Sequence, residues 1–320
     1  MSSPRPLVSI LINNFNYGRF LREAVDSALR QTYTNTEVIV VDDGSTDDSR
    51  QIIAGYGSRI VPVLKENGGQ ASAFNAGFAV SNGDVICFLD SDDVWQPSKV
   101  EQVVRAAEKF PEAVLIYHKY QCVSESLKPV DRVRPSGVFQ GWIDEKVRKS
   151  GGLWMCPPTS GLSLRRSVLN RIGKVPEEQF RLCADSYLNY LVPFLGPVVG
   201  LDQCLLAYRL HGNSGFSSRA LTRDTTFLQQ HLNRYEALVA SVNSELRRQG
   251  VPRGLDLRDH WSYQAFKFKL HKTDRLSFLQ LAWRALVFPG DPTLLNRLRW
   301  VARFSIDSSK QTLGLELRPL

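Results

Sequence analysis

Four short runs constrain this chain most: LVSILI at 7–12, TEVIVV at 36–41, RIVPVL at 59–64 and DVICFL at 84–89 are almost wholly apolar. A strand with one face in water alternates apolar and polar residues, whereas a strand covered on both faces does not. Between these runs, GRFLREAVDSALRQ (18–31) places Phe20, Leu21, Ala24, Val25, Ala28 and Leu29 at helical spacing. QASAFNAGFAV (70–80) reads as a helix of small residues, and SKVEQVVRAAEKF as another after Pro97, a residue suited to a first helical turn. Thr46–Ser49 suits the cap of a shorter helix. EAVLIYHKYQCV (112–123) is a fifth strand. The alternation predicts an α/β fold, a mostly parallel sheet flanked by helices.

The stretch 124–158 is irregular, with Pro129, Pro135, Gly137, Gly141, Gly151, Gly152, Pro157 and Pro158, and reads as a long excursion from the sheet. TSGLSLRRSVLNRIG then gives a strand and a helix. Asp185 opens a further helical stretch, and VVG and CLLAYRL read as short strands before His211.

Ligands of parallel sheets gather at the carboxyl ends of the strands. Three polar turns fall there: Asn13–Asn16, Asp42–Ser45 and Asp90–Asp93. The third, within FLDSDDVW, crowds carboxylates that repel one another. Alternate residues of extended chain point the same way, so Asp90 and Asp92 share a side. Mg²⁺ and Mn²⁺ take oxygen ligands, often one or two carboxylates plus substrate phosphates. On the motif alone, an acidic turn capping the next helix is the open alternative. Asp42-Asp43 suits acceptance from a base N–H or a ribose, or equally a helix cap.

VSILINNFNYGRFLREAVDSALRQTYTNTEVIVVDDGSTDDS, followed by GGQASAFNAGFAVSNGDVICFLDSDDVW, resembles the family 2 glycosyltransferases of GT-A fold, over about residues 7 to 215. The resemblance implies a Rossmann-like GT-A domain over 1–215 and a basic, helix-rich C-terminal extension over 216–320. It implies inverting transfer from a nucleotide-diphospho-sugar, a UDP- or GDP-sugar, to a glycan or lipid-linked acceptor. Asp42 matches the base contact and Phe15 the aromatic beside it. Asn13 and Asn16 fall where the first turn approaches the nucleotide. Asn75 lies on the nucleotide-side helix, and Gly83 in the turn before the metal strand. Asp90 and Ser91 fall beside the donor; Asp90 and Asp92 match the metal-binding DXD motif for Mg²⁺ or Mn²⁺, and Asp93 takes a supporting or capping role. Asp185, in LCADSYLNYLV, matches the catalytic base, and His211, in YRLHGNS, the residue that reaches metal or diphosphate. Two departures stand out. Many relatives carry Glu-Asp where this chain has Ala184-Asp185, and Pro-Thr-Tyr-Asn where it has Asn13-Asn14-Phe15-Asn16.

The net charge of +8 is unevenly placed: from Asn213 onward there are 17 Lys/Arg against 9 Asp/Glu, and the first 212 residues are balanced. In that last third, Trp261, Phe266, Phe268, Trp283, Trp300 and Phe304 interleave with Lys267, Lys269, Arg284, Arg297, Arg299 and Arg303. Such a surface suits a helical subdomain with solvated basic faces, or a peripheral contact with anionic lipid. No nucleic-acid-binding signature accompanies it. No apolar run reaches the ~20 residues that span a bilayer, and no secretory signal is apparent. The five cysteines are scattered, without zinc or disulfide spacing. The expected location is cytoplasmic, with peripheral attachment to the inner face of the membrane. Two rivals remain at this level: a metal-dependent nucleotidyltransferase, although Ile12–Gly18 offers no Gly-rich loop with a cation, and a non-catalytic sugar-nucleotide-binding or interaction protein of the same fold.

Overall fold

The computed structural model describes residues 5–212 and 225–271, with residues 280, 282, 283 and 286. The chain opens with β1 (Val8–Asn14), α1 (Gly18–Leu29), β2 (Thr36–Asp43), the short α2 (Ser49–Ala54), β3 (Val61–Lys65), α3 (Gln70–Val80) and β4 (Val85–Asp90). It continues through β5 (Val94–Trp95), α4 (Lys99–Lys109), β6 (Leu115–Val123), β7 (Gln140–Gly141) and α5 (Asp144–Lys149). Then come β8 (Ser163–Arg165), α6 (Arg166–Ile172), α7 (Ala184–Leu191), β9 (Val198–Arg209), α8 (Thr225–Arg248) and α9 (Trp261–His271).

The strands form one sheet in the order β3-β2-β1-β4-β8-β6-β9-β5, and β7 pairs with β9 off this path. The long ladders, β1 with β2 and β4, β2 with β3, and β6 with β9, are parallel. The antiparallel pairings at β5, β7 and β8 are two or three residues each. The result is a mixed sheet, flanked by helices, whose extended ladders are parallel. All seven residues of β1 are buried, which explains its lack of alternation. Ile10, Ile12, Val38 and Val40 pack with Leu21, Ala24 and Val25 of α1 in one core. Each Ile, Val or Leu among them contributes roughly 1.5–3 kcal/mol by leaving water. α3 uses small residues because it lies close to the sheet: a Cβ on Gly77 would stand 3.0 Å from a methyl of Val41.

Three local readings are refined. β3 is the sheet edge, so Val61 and Leu64 are exposed despite their apolar run. VVG and CLLAYRL form one strand, β9, whose pairing register with β6 shifts opposite His118–Tyr120. The excursion after β6 first folds back onto it, through bridges Val123–Pro129 and Tyr120–Arg134, before β7 and α5.

Contacts divide the chain into two units. The first comprises the chain through Ile143 with Cys156–Leu210; the second, Asp144–Met155 with the chain from His211. The sequence reading drew this boundary at 215 and did not separate 144–155. That segment joins the second unit because Gly151 (φ +65°) lies against His260, and Arg148 donates to the Arg253 carbonyl at 3.3 Å. Within this unit Tyr235 meets His260, Tyr263 and Phe266, joining α8 to α9. Trp261 is buried, so it and Phe266 serve packing, while Trp283 is exposed. The side chains of Phe268 and Lys269, and residues Arg284, Arg297, Arg299, Trp300, Arg303 and Phe304, lie outside what is described. Among the described residues no helix is long and apolar enough to cross a membrane.

Candidate active site

The parallel register brings the three polar turns to one edge: Asn13 pairs with Val41 and Asp90, and Asn14 with Asp42. At the end of β2, Asp42 is fully buried and engaged. It accepts from the Asn14 amide at 2.9 Å, from the Ser45 N–H at 3.1 Å and from Arg50 Nε at 2.9 Å. Burial alone would raise its pKa, but the bonds from Ser45, Arg50 and Asn14 outweigh burial and hold it below the usual value. Asp43 accepts from Lys65 Nζ and the Gly68 N–H on one oxygen, and from the Asn67 amide and Gly69 N–H on the other. Gly44 allows this tight arrangement: its φ is +81°, and a Cβ there would stand 2.6 Å from the Asn67 nitrogen. Asn16 (φ +58°) ties the first turn to the second, its main-chain N–H donating to Ser45 Oγ and its side-chain Oδ1 accepting from the Thr46 N–H. Phe15, which precedes Asn16 in the first turn, is exposed.

The end of β4 differs. Asp90 is half-buried, and its pKa is pushed up to about 8 by desolvation and then by the charges of Asp92 and Asp185. The Thr159 hydroxyl and the Asn13 amide moderate that rise. Asn13 is close enough to favour the charged form, yet its buried amide makes no well-formed hydrogen bond among the described residues. Ser91 is buried, its N–H donating to the Asn13 carbonyl at 3.1 Å. Asp93 turns inward: it accepts from Ser160 Oγ at 2.6 Å and from the Arg209 N–H at 2.8 Å. Burial, Asp92 and Asp90 raise its pKa.

Asp185 enters from α7, whose first turn follows Cys183 in a left-handed conformation (φ +60°). Burial pushes its pKa up to about 6, against bonds from the Ser186 N–H and the Thr159 hydroxyl. Thr159 thus lies close to both Asp90 and Asp185, and Gln70 Nε2 donates to its oxygen at 3.3 Å. At the departure, Ala184 is buried and its N–H donates to Gln70 Oε1 at 2.8 Å. The phenol of Tyr208 is raised by burial and by Asp93, Asp90, Asp92 and Asp185, which puts it in the field of all four carboxylates. Tyr17, with its pKa pushed up to about 12 by burial and by Asp92 and Asp90, flanks the same turn.

The structure thus gathers Asn13, Asp90, Ser91, Asp92 and Asp185, with Phe15, Asn16 and Asp42 on the adjoining turns. Asn75 is engaged elsewhere: its amide brackets Val175, donating to the carbonyl and accepting from the N–H, both at 2.9 Å. His211 is buried and opens the second unit. Gly83 is required where it stands, because a Cβ would meet the Ser9 nitrogen at 2.4 Å. Sequence reasoning missed Asn14, Thr159, Ser160 and Tyr208. Only Asn14 carried a signal, its place inside a polar strand end.

The donor set suits a hard divalent cation. Asp90 and Asp92 offer carboxylate oxygens, Asn13 an uncommitted amide oxygen, and mutual repulsion is what a cation would relieve. No group of three His, Cys, Asp or Glu with metal-holding geometry occurs among the described residues, so bound phosphates and water would complete the shell.

The model of the family described as glycosyl transferase family 2 matches residues 9–173. An uncharacterized glycosyltransferase of Nostoc, alr2836, is 33% identical over 319 residues, 95% of each chain. Further curated relatives share a shorter stretch, covering 44% of this chain and 44% of their own length. Among solved structures, residues 1–349 of S. aureus TarS in complex with UDP-GlcNAc align with a TM-score of 0.53 at 16% identity, over 98% of this chain and 93% of that one. A mannosyltransferase of Pyrobaculum calidifontis in complex with GDP-Man and Mn²⁺ aligns with a TM-score of 0.51 at 14% identity, over 97% and 81%. These structural likenesses establish the fold.

Proposed function

The chain belongs to glycosyl transferase family 2, and on that premise we propose that it moves a sugar, with inversion, from a UDP- or GDP-sugar to an acceptor hydroxyl. The observation that carries this reading is the register that brings the ends of β1, β2 and β4 to one edge, with Asn13 beside Asp90 and Asp185 near enough for its charge to raise the pKa of Asp90. Asp90 and Asp92 are the residues to hold Mg²⁺ or Mn²⁺. When bound, such a cation neutralises the diphosphate as it departs. Asp185, held near 6, is ionised at neutral pH and basic enough to take the acceptor's proton as its oxygen attacks the anomeric carbon. Tyr208, kept neutral, retains its hydroxyl proton beside these carboxylates as a donor. Exposed Phe15 offers a face to the base, and Asp42, with Asn14 and Asn16, fixes the turn beside it.

Thermal-shift measurements with UDP-, GDP- and dTDP-sugars and Mn²⁺ test the donor, because a ligand of the native state raises apparent stability. One nucleotide class raises the midpoint, and its sugar is slowly hydrolysed with Mn²⁺ but not with EDTA. A chain that no sugar nucleotide stabilises and that hydrolyses none is not this enzyme.

The acceptor on this reading is a glycan or lipid-linked hydroxyl. The support is the excess of Lys and Arg from Asn213 onward, which suits a surface of anionic lipid. Co-sedimentation with anionic vesicles at low salt, lost at high salt, is the expected result; no sedimentation at low salt removes the membrane contact.

A further inference from the structure

Arg209, the last residue of β9, is 2% exposed, yet it carries a permanent charge. Burying a guanidinium is costly unless its donors are used, and here they are. Nε donates to the Asp92 carbonyl at 2.7 Å, one terminal nitrogen to Glu23 Oε2 on α1 at 2.9 Å, and the other to the Glu125 carbonyl. The guanidinium lies 4.5 Å from the ring centre of Phe20. Its own N–H donates to Asp93. One residue therefore grips the acidic turn at two consecutive positions and ties it to α1 and to the turn after β6. Its carboxylate partner is Glu23 of α1, and to Asp92 it offers a hydrogen bond through the main-chain carbonyl.

We propose that Arg209 is a positioning residue. By fixing the Asp92 carbonyl it sets the direction in which the Asp92 carboxylate leaves the turn, and so holds it ready for a divalent cation. A planar fork satisfies three partners lying in different directions, which a lysine ammonium does not match. This inference rests on the reading of Asp92 as a cation ligand.

Mn²⁺ binding to the full chain, followed by electron paramagnetic resonance with UDP or GDP present, tests it without turnover. Asp92→Asn should abolish the binding; if it does not, the cation reading itself fails. With that control in hand, Arg209→Lys should raise the Mn²⁺ concentration at half-saturation about tenfold while circular dichroism stays unchanged. Outer partners of metal ligands commonly matter by roughly 10–100-fold. Arg209→Lys that folds and binds Mn²⁺ like the parent overturns the proposal and leaves Asp92 standing. If Arg209→Lys does not fold, Glu23→Gln decides: its side chain is 48% exposed, and loosening the guanidinium should raise the half-saturation point a few-fold. No change there also overturns the proposal.

Discussion

Two acidic turns lie on the same sheet edge, at the ends of β2 and β4, and chemistry separates them. Asp42 and Asp43 are saturated, by Arg50 and Lys65 and by amides of Asn14, Asn67, Gly68 and Gly69. Asp90 instead faces Asp92 and Asp185 and is pushed up to about 8. An acid pair that has its cations within the chain is scaffold, which can at most present an already oriented oxygen. Carboxylates that raise one another's pKa gain most from an incoming cation.

The largest effect that would break this contrast lies in catalysis. Asp185→Asn and Asp92→Asn should each lower kcat by about 10²–10⁴, the range for losing a positioned base or comparable charge stabilisation. The pH profile should show its acidic limb near 6, where Asp185 protonates. Initial rates from pH 5 to 8 check both statements. Full activity in either variant would move the chemistry away from the turn of β4.

Stability should then separate the turns in opposite directions. Asp43→Ala leaves Lys65 without its ion-pair partner and several amides unbonded, and should cost about 3–5 kcal/mol, the range for breaking a buried pair. Asp90→Asn should cost nothing, or stabilise the metal-free chain. The pH dependence carries the same sign. The folded state keeps a proton on Asp90 up to about 8, whereas an ordinary Asp releases it near 3.8. Between those values the native state binds more protons than the unfolded one, so stability falls as pH rises. Asp185 adds to that fall up to about 6. Asp42, held low, acts oppositely and loses stability only as the medium turns acidic. Urea midpoints in EDTA should therefore be lower at pH 9 than at pH 6, with a flatter slope in Asp90→Asn. An equal slope in both proteins would show that the turn of β4 is not electrostatically strained.

The strand ends were legible because β1, β2 and β4 are buried on both faces, and each stops where polar residues begin. Parallel pairing then left little freedom, and the three turns had to converge. β4 ends at Asp90 and the chain turns there, the Asp93 N–H donating to the Asp90 carbonyl at 3.1 Å, so the inward direction of Asp93 comes from the turn and not from strand alternation. What stayed hidden came from elsewhere in the chain. Thr159 and Ser160 lie in a short turn between Pro158 and β8, with no local pattern to mark them. Tyr208 and Arg209 read as ordinary strand residues until β9 is placed beside β6 and β5. Their partners lie about a hundred residues away, and sequence periodicity does not reach that far. β3 misled because an edge strand can be as apolar as a central one.

Asn75 offers the smallest effect and the sharpest control. The family resemblance puts it on the nucleotide-side helix, yet its amide makes two bonds to Val175 and one to Glu177, also at 2.9 Å. Its amide is thus satisfied as Asp42 and Asp43 are, although α2 and β3 separate it from them and it lies within α3. Asn75→Ala should cost about 1–3 kcal/mol of stability, because the Val175 N–H loses its acceptor. The affinity for the donor nucleotide should stay within twofold. Urea denaturation and nucleotide titration of the same preparation read both quantities. A large loss of affinity with intact stability would mean that the amide leaves Val175 for the nucleotide. The saturated side of the edge would then take part in binding as directly as the repelling side.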